Sequence, residues 1–138
     1  MTTKSLFATY QSDSNMEKDG KWIEFPESGV EVLIARAGGS NHRFRMAEMK
    51  MYSETDPKEL AENPDLYADL LAQVYADCVV LDMRGEGFKD EAGEPMQFSK
   101  EVAYQLLKAL PDFFEEVRVI ASQRSTFRKE RDKAIAGN

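Results

Sequence analysis

Between Asn63 and Gly85 the stretch NPDLYADLLAQVYADCVVLDMRG sets apolar residues on one helix face. Tyr67, Leu70, Leu71, Val74, Tyr75, Cys78 and Leu81 recur at steps of three and four, the spacing that stacks side chains along a helical stripe. Asn63 followed by Pro64 is a start signal, because the asparagine can accept from orphan amides while the proline has none to satisfy. A helix is expected from Pro64 to about Asp82, ending before Gly85. So wide an apolar stripe has to be buried, and the rest of the chain must supply the elements that cover it.

Upstream, Asp19-Gly20 is a turn signal, and Trp22, Ile23 and Phe25 make a short strand-like run. After a second turn at Pro26 to Gly29, Val30, Val32 and Ile34 alternate with Glu31 and Leu33, and Gly38-Gly39 ends the run. Ser40 or Asn41 can cap a helix over HRFRMAEMKMY, with Phe44, Ala47 and Met51 as inward positions and Met49 as a further one. Asp56-Pro57 repeats the start signal. MRGEGFKDEAGEPMQF, rich in glycine and acids, is a loop or loose hairpin. Ser99 caps a helix carrying Val102, Ala103, Leu106, Leu107 and Leu110; Pro111 breaks it and starts another with Phe113, Phe114, Val117, Ile120 and Ala121. The expected fold is mainly α-helical (α+β): four to five helices with a small N-terminal β-hairpin or meander.

Length and charge narrow the function. At 138 residues the chain is expected to be a single domain, 1–138, with 1–15 and 128–138 frayed. A net charge of -7 disfavours a binder of phosphate backbones, and the one cysteine fits a reducing compartment. Neither a secretory leader nor an apolar run of membrane length is visible.

Little chemistry can be built from these residues. His42, the only histidine, has no nucleophile motif or ligand spacing beside it. Cys78 sits on an apolar stripe, where an inert thiol is expected. Asp90, Glu91 and Glu94 around Gly93 lack the ligand order of a calcium loop, and Gly38-Gly39 belongs to no phosphate-binding motif. Arg36, His42, Arg43 and Arg45 form a small basic cluster; Arg124, Arg128, Lys129, Arg131 and Lys133 form another, diluted by acids. Met46, Met49 and Met51 cannot all face inward on one short helix, and methionine packs adaptably at binding surfaces. A non-enzymatic binding protein without cofactor or metal is the expectation.

Three stretches together resemble a known family. DGKWIEF followed by VLIARAGGSNHRF, then CVVLDMRG and DEAGEPMQFSKEVAYQLLKALPDFFEEV, then IASQRSTFRKE with Ala121, Phe127 and Arg128, are similar to tail assembly chaperones of long-tailed phages and prophages. The likeness runs from Lys21 to Glu130. It departs at Met83, where the family often has a tryptophan after Leu-Asp.

The resemblance implies a protein of the host cytoplasm, absent from the mature virion. It would bind the tape measure protein and keep it soluble while the tail tube polymerises. It also implies contact with the tail tube protein through a longer frameshifted form, of which this chain would be the short form, and self-association, although no heptad seam is present. The partner-binding surface would draw on Met46, Met49 and Met51 and on Phe113, Phe114 and Val117, the first stripe of the Pro111 joint closing the core and the second partly serving a partner. The alternatives are a tail structural or connector protein retained in the virion and a small regulatory nucleic-acid-binding protein.

Overall fold

The structure is a computed structural model that describes residues 3–129. The expectation of fraying over 130–138, and the cations Arg131 and Lys133, lie outside the described residues.

The helix count and the sheet both correct the sequence expectation. Seven α-helices are present among the described residues, and the hairpin is the first part of a three-stranded antiparallel sheet. The elements run α1 (Leu6–Tyr10), α2 (Ser14–Asp19), β1 (Lys21–Phe25), β2 (Val30–Ile34), α3 (His42–Glu54), α4 (Pro57–Glu62), α5 (Pro64–Cys78), β3 (Val80–Gly85), α6 (Lys100–Ala109) and α7 (Pro111–Ser122), then a 3-10 turn at Arg124–Phe127. The two short N-terminal helices have no apolar periodicity of their own. Ser5 caps the first, and Asp13 caps the second by accepting from the amides of Asn15 and Met16 at 3.0 Å.

The third strand replaces the last turn of the long helix. α5 stops at Cys78, and Leu81 joins β3 instead of the helical stripe. β2 lies in the middle of the sheet, paired with β1 on one side and β3 on the other. A register shift between Leu33 and Ile34 absorbs the extra residue Leu81. The inner face carries Val30, Val32 and Ile34, all buried, and α6 and α7 pack on this layer. On the outer face Arg84 stacks over the Trp22 ring at 3.8 Å and pairs with Glu31 at 3.1 Å.

Asn41 joins three elements. Its side-chain oxygen accepts from the Phe44 amide, while its Nδ2 donates to the carbonyls of Arg36 (2.8 Å) and Cys78 (3.0 Å). The cap of α3 thus also ties the exit of β2 to the end of α5. Between α5 and α6, Asp69 accepts from the Tyr104 hydroxyl and from Lys108 at 2.9 Å. Those bonds, Tyr104 first, hold its carboxyl below its ordinary value.

Residues 12–13 and 127–128 clasp each other. Ser12 bridges Arg128, and the Asp13 amide donates to the Phe127 carbonyl at 2.8 Å. Beside them Ala37 donates to the Ala121 carbonyl, and Arg36 to that of Glu17, both at 2.9 Å. Residues 12–15 are thus held by this clasp and by the start of α2, which Asp13 caps; residues 1 and 2 lie outside the described residues.

At the α6–α7 joint Leu110 is both the C-cap of α6 and the N-cap of α7, and no side chain caps α7. Leu110 is 49% exposed, so replacing it with a capping residue removes little buried surface. Leu110→Asp should therefore leave stability within about 1 kcal/mol of the parent, a cap of about 1 kcal/mol offsetting the lost contacts. Leu107→Ala, by contrast, should lose about 2–5 kcal/mol, since Leu107 is fully buried. Urea unfolding of both variants checks the contrast.

Candidate functional site

The six residues singled out for partner binding do not share one surface. Met51, Phe114 and Val117 are buried in the core, and Phe113 is half-buried. Met46 and Met49 are exposed on α3, each by about two-thirds of its surface (67% and 66%). The reason is the phase of α7. Phe114, Val117 and Ala121 form its inward line, and Phe114 meets Tyr75 edge to face at 5.2 Å between ring centres. Phe113 is turned aside onto Phe25, at 5.4 Å.

That sideways turn makes the floor of a groove. Phe113 and Leu110 line it at the helix joint, and Phe25 and Val30 come from the end of β1 and the start of β2. Met83, Phe88 and Met96 close the far side, giving a cavity of about 400 Å³ open to solvent. Phe88 and Met96 reach it because the 86–98 loop folds on itself. Met96 donates to the Phe88 carbonyl at 3.1 Å, and Lys89 bridges Pro95. A second hollow of about 530 Å³ continues past Phe25 along α7 to Val119 and Ile120.

The rim is acidic. Glu27 and Glu116 border the first hollow, Glu24, Glu115 and again Glu116 the second, and Asp112 lies between them. Lys89 is the one cation among these lining residues. An apolar trough with two methionines, three phenylalanines and a negative border can accept the apolar side of a peptide or helix whose flanks are basic. Of its residues, the sequence pointed only to Phe113. Besides its neighbours at the helix joint, the others come from strands, a turn and a loop far apart in the chain. Their one local sign is that Phe88 and Met96 are lone apolar residues inside an acidic loop.

None of the remaining candidates lines this groove. Burial, and then the neighbouring Asp77 carboxylate, push the Cys78 thiol up to about 11, and its Sγ lies 3.5 Å from the Arg43 carbonyl. It is a thiol, not a thiolate, at neutral pH. Asp90 accepts from the amides of Ala92 and Glu94 at 2.9 Å, and so organises a turn. Among the described residues no group of three His, Cys, Asp or Glu side chains could hold a metal ion. The first basic cluster is divided: Arg36 points inward to Glu17, while His42, Arg43 and Arg45 are exposed. In the second, Arg124 lies over the Tyr10 ring at 4.5 Å. No helix of the described residues is long and apolar enough to cross a membrane.

Residues 39–138 match the family described as YdaY prophage protein. No curated protein and no solved structure matches the chain.

Proposed function

The chain belongs to the YdaY prophage protein family, and from this premise we propose that it is a tail assembly chaperone, a non-catalytic protein that holds the tape measure protein soluble while the tail tube forms. One observation carries the reading: the acidic-rimmed apolar groove between the β1–β2 turn, the 86–98 loop and the helix joint. A holdase for a long amphipathic helix needs an apolar trough that can repack around different side chains. Methionine and phenylalanine walls provide that, and the surrounding carboxylates keep the empty protein soluble. The sequence likeness to tail assembly chaperones from Lys21 to Glu130 supports the same reading. The exposed pair Met46 and Met49 on α3 offers a second, smaller contact.

Co-expression with the tape measure protein of the same phage tests it. The tape measure protein should become soluble and co-elute with this chain on size exclusion. Leu110→Asp, which puts a charge in the groove wall while capping α7, should weaken that association about tenfold or more. A tape measure protein that stays insoluble beside the folded chain, together with the chain appearing in purified virions, would instead mark a tail structural protein.

A further inference from the structure

The N-terminal helix α1 presents its apolar side chains to solvent. Leu6 and Phe7 are 75% and 78% exposed, and no residue of the helix is buried. Five residues are far too few for a helix to hold itself in water, so α1 is a segment that gains from an outside surface. Its base is fixed at one place. Arg124 lies over the Tyr10 ring, and Asp13 is bonded to Phe127, both beyond the C-terminal end of α7. The groove is at the other end of the same helix, beside Asp112 and Phe113. α7 has 12 residues, about 18 Å of helix, whereas the whole of α1 is about 7.5 Å long. In its own chain the arm stays out of the groove, since Leu6 and Phe7 are exposed and do not line it.

Charge points the same way. The chain carries a net charge of -7, so copies repel one another, yet no aspartate or glutamate precedes Asp13. Lys4 stands just before the arm, and the groove rim offers Glu27, Asp112 and Glu116 against the single Lys89. The cavity of about 400 Å³ has room for two side chains the size of Leu6 and Phe7. We infer that the α1 arm of one copy docks, through Leu6 and Phe7, into the acidic-rimmed groove of a second copy. The contact is heterologous, since arm and groove are different surfaces. It is also small, so the association is weak and concentration-dependent. The inference concerns this chain alone and does not depend on the chaperone reading.

Sedimentation velocity over a concentration series tests it with three proteins: the parent chain, the arm variant Leu6→Asp/Phe7→Asp, and the groove variant Leu110→Asp. The parent should gain mass as concentration rises. Each variant alone should associate about tenfold more weakly or not at all. An equimolar mixture of the two variants should regain association and stop at a one-to-one complex, because one still has a groove and the other an arm. A parent that is monomeric at every concentration overturns the inference, as do variants that associate like the parent or a mixture that stays monomeric. The arm substitutions fall on exposed side chains, so that variant decides the matter even if circular dichroism finds the groove variant unfolded.

Discussion

Phe127→Ala should lose about 3–5 kcal/mol of stability, the range for deleting a wholly buried phenylalanine ring. Phe127 has none of its surface exposed, yet it stands outside the main core cluster. It is a separate plug beneath α2, and its carbonyl holds the Asp13 amide. A domain of this size has a total stability of about 5–15 kcal/mol, so losing this ring consumes a large share of it. Phe7→Ala is the internal contrast: with that ring mostly in solvent, its removal should change stability by no more than about 0.5 kcal/mol. Urea unfolding read by circular dichroism measures both. If Phe127→Ala cost as little as Phe7→Ala, the clasp between residues 12–13 and 127–128 would not exist in solution.

The second large effect is expected at Glu17. Its side chain is 2% exposed, lies 2.5 Å from the Arg36 guanidinium and accepts from the Ser40 amide at 3.3 Å. Burial raises the carboxyl, but the bonds from Arg36 and Ser40 and the Arg36 charge outweigh it and leave the group below its ordinary value. Gly39 belongs to the same arrangement. It has a φ of +53°, and a Cβ there would stand 2.2 Å from Glu17 Oε2. Glu17→Ala strands a guanidinium and an amide, a loss of about 3–5 kcal/mol when both partners are fully buried. Arg36 keeps some contact with water, 22% of its side chain, which reduces the expected loss to about 2–3 kcal/mol.

The pH dependence follows from the direction of the shift. With a folded pKa below the ordinary 4.5, the stabilisation is complete above that value and is lost as pH falls through the folded pKa. Asp69 and Asp77 are also lowered, by Tyr104 with Lys108 and by Lys100 respectively, so they add to the same acid-side loss. The Glu17 share is the difference between the parent and Glu17→Gln, measured by urea unfolding at pH 7 and at a series of points below pH 4.5. That difference should shrink on the acid side; a constant difference would mean that the carboxylate charge contributes nothing.

Local signals were readable where a side chain acts on its own neighbours. Asn63-Pro64, Asp56-Pro57, Ser99 and Asn41 each cap the helix that the sequence placed after them. The alternation of Val30, Val32 and Ile34 likewise identified a strand with one buried face. β3 was not readable, because Val79, Val80 and Leu81 prolong the apolar run of α5, and a buried strand has no period that separates it from a helix end. Asn41 was legible as a cap, but its bond to the Cys78 carbonyl joins residues distant in the chain. The groove was hidden for the same reason. Phe25, Met83, Phe88 and Phe113 come from four separate segments, and only the fold brings them together. Counting stripes on α7 also could not tell which of Phe113 and Phe114 faces inward; the edge contact of Phe114 with Tyr75 decides it.

The clasp of Ser12 and Asp13 with Phe127 and Arg128 sets an order on events while the chain is being made. Synthesis delivers α2 early, but its anchor is among the last of the described residues to emerge. Until then Glu17 can meet Arg36, yet nothing seals α2 from below, and the entropy of so long a loop delays that contact further. Until Phe127 emerges, the nascent chain therefore carries α2 without its anchor.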